Sequence, residues 1–161
     1  MTKSTRPLLA AVAFLLLSIS AICAQGAPQT DGKQASTHRL AIQVDQNDPA
    51  VMNLALNNAK NALEYYNARG ERAEVEIVAY GPGLNMLRAD TSPVKERIAN
   101  MASAKASLPS KIVYSACNNT LKGMEKRVGH PITIIPQARI VPAGVVRLME
   151  LQEQGWSYVR P

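Results

Sequence analysis

From residue 38 onward, apolar and polar positions change period several times, and each change marks an element. Leu40, Ile42 and Val44 alternate with Ala41 and Gln43, the period-two pattern of a strand, until Asp45 to Asp48 breaks it. Asp48-Pro49 then combines a capping carboxylate with proline at the first helical position, where its missing N–H costs nothing. Val51, Ala55, Ala59, Ala62 and Tyr66 recur at helical spacing and predict the buried face of that helix, which Arg69-Gly70 stops. Residues 75–80 (VEIVAY) read as a second strand closed by a Gly81-Pro82-Gly83 turn. Ser92-Pro93 repeats the helix-start chemistry ahead of Val94, Ile98 and Met101.

Residues 111–116 (KIVYSA) form a third strand, followed by Cys117 and by Asn118-Asn119-Thr120, a cap for a helix to about Arg127. Two runs on either side of Pro136, 132–135 and 138–141, compete for the fourth strand. The second is favoured because Pro142 then opens a helix with Val145, Leu148 and Met149 inward. Gly155 ends that helix, and 156–159 is a short last strand. Strands and helices alternating over short links imply right-handed crossovers. The expected fold is α/β: a three-layer α/β/α sandwich with a mainly parallel sheet of about five strands, one domain over 38–161.

The N-terminal segment follows another logic. Lys3 and Arg6 precede an apolar run from Leu8 to Leu17, and small residues gather around Ala21 to Ala27. That is a secretory signal, expected over 1–24 with cleavage after Ala24, and 25–37 reads as a flexible leader. The apolar run falls short of the roughly 20 residues that span a bilayer, so no stable membrane insertion is expected once the signal is removed. The expected location is periplasmic or secreted. Without Lys3 and Arg6, 16 of the 18 basic residues remain against 12 acidic ones, an excess of four spread along the chain with few aromatics, which excludes a nucleic-acid surface. Two cysteines among 161 residues exclude a disulfide scaffold or a Cys-rich metal module, and with two isolated histidines no metal or cofactor is expected. Loss of Cys23 with the signal would leave Cys117 without an internal disulfide partner.

Ligands of open parallel sheets bind beyond the carboxyl ends of the strands. The 45–48 loop, Gly81 with Gly83, and Cys117 all fall there. A cysteine at a strand end and helix start meets unpaired N–H groups that favour thiolate, although an unpaired cysteine is equally at home as a small core residue. Gly81 and Gly83 could let a ligand approach the backbone, but their spacing is that of an ordinary turn and not of a dinucleotide loop. His130 could serve as a base near the thiol, and Lys122, Lys126 and Arg127 could attract anions. Solvation accounts for all four better. No Gly-x-Ser-x-Gly elbow occurs.

Two stretches carry a family likeness: KIVYSACNNTLKGM (111–124) and RIVPAGVVRLMELQEQGWSYVRP (139–161). On them, the domain resembles the exported small members of the DsrE/DsrF-like family. The resemblance implies a five-stranded parallel sheet, homo- or hetero-oligomers, and a strand-end cysteine that accepts sulfur as a persulfide. Cys117 would be that catalytic thiol, accessible and acid-shifted, with Asn118, Asn119, Thr120, Gly81 and Gly83 contacting substrate. Partners would be further copies of the chain and a sulfur donor or acceptor protein. Relay relatives are cytoplasmic, whereas this chain carries an export signal, and its 45–48 loop lacks the glycines of some of them. The competing function is a non-catalytic oligomeric module binding a small molecule or protein in the same crevice. A sulfur exposed beside helix N–H groups favours the first; one sealed by apolar side chains favours the second.

Overall fold

The computed structural model describes residues 37–105 and 110–161. The expected signal at 1–24 and residues 25–36 of the expected leader lie outside the described residues. Five strands, β1 (Thr37–Val44), β2 (Arg72–Ala79), β3 (Lys111–Cys117), β4 (Ala138–Val141) and β5 (Ser157–Val159), form one parallel sheet in the order β4-β3-β2-β1-β5. The helices are α1 (Pro49–Ala68), α2 (Lys95–Lys105), α3 (Asn118–Val128) and α4 (Gly144–Glu153), with a 3₁₀ helix at Gly81–Leu87. This is the expected three-layer α/β sandwich.

Strand order dictates which layer each helix joins. The chain steps in one direction from β1 to β4, so right-handed crossovers put α1, α2 and α3 on one face. It then returns across the sheet to β5, and the same handedness sends α4 to the other face. Two cores follow. The larger joins Ile42, Val75, Ile77 and Tyr114 to Leu56, Leu63, Ile98 and Leu121, while the smaller joins Ala41 and Val78 to Leu148 and Leu151.

Local chemistry starts and stops these elements much as the pattern indicates. Asp48 caps α1 by accepting from the Ala50 N–H at 2.7 Å, and Gly70 takes a left-handed conformation (φ 70°) just beyond its end. The buried stripe of α1, however, is Met52, Ala55, Leu56, Ala59 and Leu63. It is rotated from the expected one so that the apolar Met52, Leu56 and Leu63 enter the core beside Ala55 and Ala59, leaving Val51, Ala62 and Tyr66 at its margin. The Gly-Pro-Gly segment is the first turn of the 3₁₀ helix and not a simple turn. The 132–135 run supplies only an isolated bridge, Ile134 to Arg88. In α4 the expected inward residues Val145 and Met149 are 56% and 54% exposed, and Leu148 with Leu151 faces the sheet. No helix of the described residues is long and apolar enough to cross a membrane.

Candidate functional site

Strand β3 runs through Cys117, and α3 begins at the next residue, so a single step carries the chain from sheet to helix at the carboxyl edge. The helix cap expected from Asn118 or Asn119 is supplied by Cys117 itself, whose Sγ accepts from the Thr120 N–H at 3.4 Å. A second helix converges on the same sulfur. Cys117 is in register with Val141 of β4, and the following residues, Pro142 and Ala143, lead into α4. The Asn119 N–H donates to the Pro142 carbonyl at 3.3 Å and ties the two helix starts together. Helix α4 has no side-chain cap, and the N–H of Gly144 at its start helps to lower the pKa of the thiol.

Two opposing effects act on this thiol. Burial raises its pKa, but the Thr120 hydroxyl and the N–H groups of Thr120, Gly144 and Asn119 outweigh burial and hold it below the ordinary value. Accessibility departs from expectation: Cys117 keeps only 4% of its surface. Its surroundings are polar at the helix ends, so the sulfur is buried without being sealed in hydrocarbon. Cys117 carries no disulfide.

Beside it, a cleft of about 500 Å³ opens at the carboxyl edge, lined among others by Asn47, Asn85, Arg88, Asn119, Thr120 and Arg127. Thr120 joins the cleft to the sulfur, because its Oγ1 accepts from the Gly81 N–H at 2.9 Å while its own N–H meets Cys117. Of the residues expected to contact substrate, Asn119, Thr120 and Gly81 line this cleft, whereas Asn118 and Gly83 do not. A Cβ on Gly83 would lie 2.3 Å from the Val44 carbonyl oxygen, so that glycine serves close backbone packing. His130 lies beyond the far end of α3, with Nδ1 beside the Pro131 carbonyl, roughly 16 Å of helix from the thiol. It is not a partner of Cys117. Lys122 and Lys126 stay outside the cleft; Arg127 lines it. Among the described residues no group of three or more His, Cys, Asp or Glu could hold a metal ion.

Asn47 belongs to the marked 45–48 loop, whereas Asn85, Arg88 and Gly144 went unmarked in the sequence. Asn85 and Arg88 come from the 3₁₀ helix and its C-cap, three positions apart, and no sequence spacing joins that segment to α3. Gly144 had a signal in the Pro-Ala-Gly entry to α4. A Cβ there would lie 2.7 Å from Cβ of Tyr80 and 3.0 Å from its ring, so only glycine lets the helix end settle over Cys117. Gly144→Ala is expected to lift that end and move the thiol titration up by about half a pH unit or more. Thiolate ultraviolet absorbance against pH measures this, and an unmoved titration would show that Gly144 does not set the thiol.

No family model matches the chain, and no curated protein matches it. Among solved structures, it is similar to the protein of unknown function MTH1491 from Methanobacterium thermoautotrophicum, at 26% identity and a TM-score of 0.62, over 77% of this chain and 99% of that one. The likeness supports the α/β sandwich.

Proposed function

We propose that the protein is a thiol-dependent sulfur carrier that accepts sulfane sulfur as a persulfide on Cys117. The observation that carries this reading is the convergence of the α3 and α4 N-termini on one sulfur held toward thiolate. The likeness of 111–124 and 139–161 to DsrE/DsrF-like proteins supports it, and the signal pattern of 1–24 supports action outside the cytoplasm. In the step, the Cys117 thiolate attacks the outer sulfur of a donor persulfide R–S–SH. The donor S–S bond breaks, R–S⁻ leaves with its electron pair, and Cys117–S–SH forms with no net oxidation. An acceptor thiolate reverses the process on its own account. The same N–H groups stabilise the persulfide anion.

Incubation of the mature protein with polysulfide, followed by intact-mass measurement, is expected to add sulfur in +32 Da steps (the mass of sulfur), with Cys117→Ser as the blank. Because Cys117 is 4% exposed, iodoacetamide should label it slowly, yet with a pH midpoint below the roughly 8.5 of a free thiol. That burial is also what favours the second reading, an oligomeric binding module without catalysis. No added sulfur, together with labelling only on unfolding, would select it.

Under either reading we propose that copies associate through β4 and the outer face of α4. Ile140, Val145, Val146 and Met149 are exposed there, and Ile140 shares a groove of about 270 Å³ with Val146. Arg139 and Glu150, of opposite sign, line the same groove, so the face can complement a copy of itself. Light scattering should give at least twice the mature mass, and Met149→Glu should return a monomer. A monomeric parent protein would refute this.

A further inference from the structure

Helix α3 turns one face to the cleft, and the residues on it are Asn119, Thr120, Gly123, Met124 and Arg127, the helical spacing of a single face. Gly123 is the unexpected member. Glycine in a helix interior is destabilising relative to alanine, and it is retained where packing or a ligand forbids a side chain. Packing does not forbid one here: a Cβ on Gly123 would meet nothing within 4 Å. Its backbone is not left-handed either. What a side chain at 123 would take up is cleft volume.

The rest of the lining says what chemistry that volume suits. Its charged side chains are Arg88 and Arg127, and no carboxylate lines it. Arg88 is held in place by Asp90, with its Nε on Oδ1 at 2.9 Å and an Nη on Oδ2 at 2.5 Å, which offsets much of its charge. Arg127 makes no ion pair among the described residues, so it supplies the net positive charge of the cleft. Asn47 and Asn85 are already joined to each other, Nδ2 of Asn85 donating to Oδ1 of Asn47 at 2.8 Å, and Thr91 donates to Oδ1 of Asn85. These bonds preset the polar wall. Pro82 and Met124 add an apolar surface, and about 500 Å³ falls in the range for small organic ligands and well above the need of a bare inorganic ion.

We propose that this cleft binds a small organic anion carrying a carboxylate or sulfonate, its acid group toward Arg127 and Arg88 and its uncharged part over Gly123, Pro82 and Met124. The inference goes beyond sulfur transfer and stands whether or not Cys117 accepts sulfur. Under the carrier reading the occupant is the donor, its sulfur at the Thr120 end of the cleft, where Thr120 adjoins Cys117.

Isothermal titration of the full mature protein with glutathione, glutarate and propanesulfonate, without oxidant, tests it. At least one is expected to bind saturably with a submillimolar Kd that weakens as salt rises. Arg127→Glu should weaken that binding at least about tenfold, the loss of one charge contact and gain of a repulsive one. Gly123→Leu should abolish it while the thermal unfolding curve stays cooperative, since the new side chain meets open space. Glutathione diethyl ester, lacking the carboxylates, should not bind. Absence of saturable binding across the panel, equal binding of the ester, or unchanged affinity in Gly123→Leu would each overturn the proposal. The +32 Da measurement reads the carrier function separately, so its failure leaves this result standing.

Discussion

Gly83→Ala is expected to destabilise the domain by at least ~3 kcal/mol and lower its unfolding temperature by about 10 °C or more. Gly83 is buried in the 3₁₀ helix that follows β2. A Cβ there would lie 2.3 Å from the carbonyl oxygen of Val44, 2.6 Å from its carbon and 2.8 Å from Cα of Asp45. All three are backbone atoms at the end of β1, between β2 and β5 in the sheet. No rotamer change can relieve the clash. The Val44 carbonyl also accepts from the Tyr80 N–H at 3.1 Å, so retreat of β1 would cost that bond too. Gly123→Ala is the contrast: its Cβ meets nothing, and alanine should stabilise α3 by up to ~1 kcal/mol. Thermal melts of both variants decide the matter. A Gly83→Ala protein as stable as its parent would mean that the 3₁₀ segment can move off β1 freely.

The same comparison shows which layers of the molecule can be read along the chain. Helices were legible because each buries one face at helical period, and the central strands because they are short apolar runs buried on both faces, while Asp48, Gly70 and Pro142 punctuate them by local chemistry. The face of α4 was not. Val145 and Met149 on one side and Leu148 and Leu151 on another are both apolar, and only the sheet beneath decides between them. The cap of α3 misleads for a different reason. Asparagine is the better capping residue in general, but β3 continues through Cys117 and brings its sulfur to the Thr120 N–H first. Cys117 itself could be found from its place at a strand end. Part of the cleft beside it could be found as well, since the 45–48 loop, Gly81, Asn119, Thr120 and Arg127 are marked along the chain. Asn85 and Arg88 could not, because the crossovers bring their segment beside α3 with no spacing in the sequence to show it. Glu76 did leave a trace, as the one charge within the VEIVAY run (75–80).

That carboxylate underlies the other large effect. Glu76 stands in β2, the middle strand, and is 1% exposed. Arg147 of α4 grips it with Nε on Oε1 and an Nη on Oε2, both at 2.8 Å. Arg139 of β4 reaches both oxygens at 2.9 Å, and the Ser115 hydroxyl donates at 2.7 Å. Burial pushes the Glu76 pKa up, but these donors outweigh it and leave it below the ordinary carboxylate value. A group whose pKa is lowered by folding stabilises the native state above its unfolded value, about 4.3, and loses that contribution as pH falls through the folded value. Arg147→Ala removes two of the donors and leaves a buried charge undercompensated, at an expected loss of ~3 kcal/mol at neutral pH. Part of that loss should disappear near pH 4, where the variant's Glu76, its pKa now raised, takes up a proton. Replacing both partners, Glu76→Met with Arg147→Met, should recover most of the stability, because no buried carboxylate then remains. Since Arg147 also pins α4 to the sheet, Arg147→Ala should raise the Cys117 titration as Gly144→Ala does, through withdrawal of the same N–H. Urea unfolding of the three proteins at pH 7 and pH 4 separates charge from packing. A loss for Arg147→Ala that is equal at both pH values, with no recovery in the double variant, would assign Arg147 to packing and leave Glu76 without its role in seating α4.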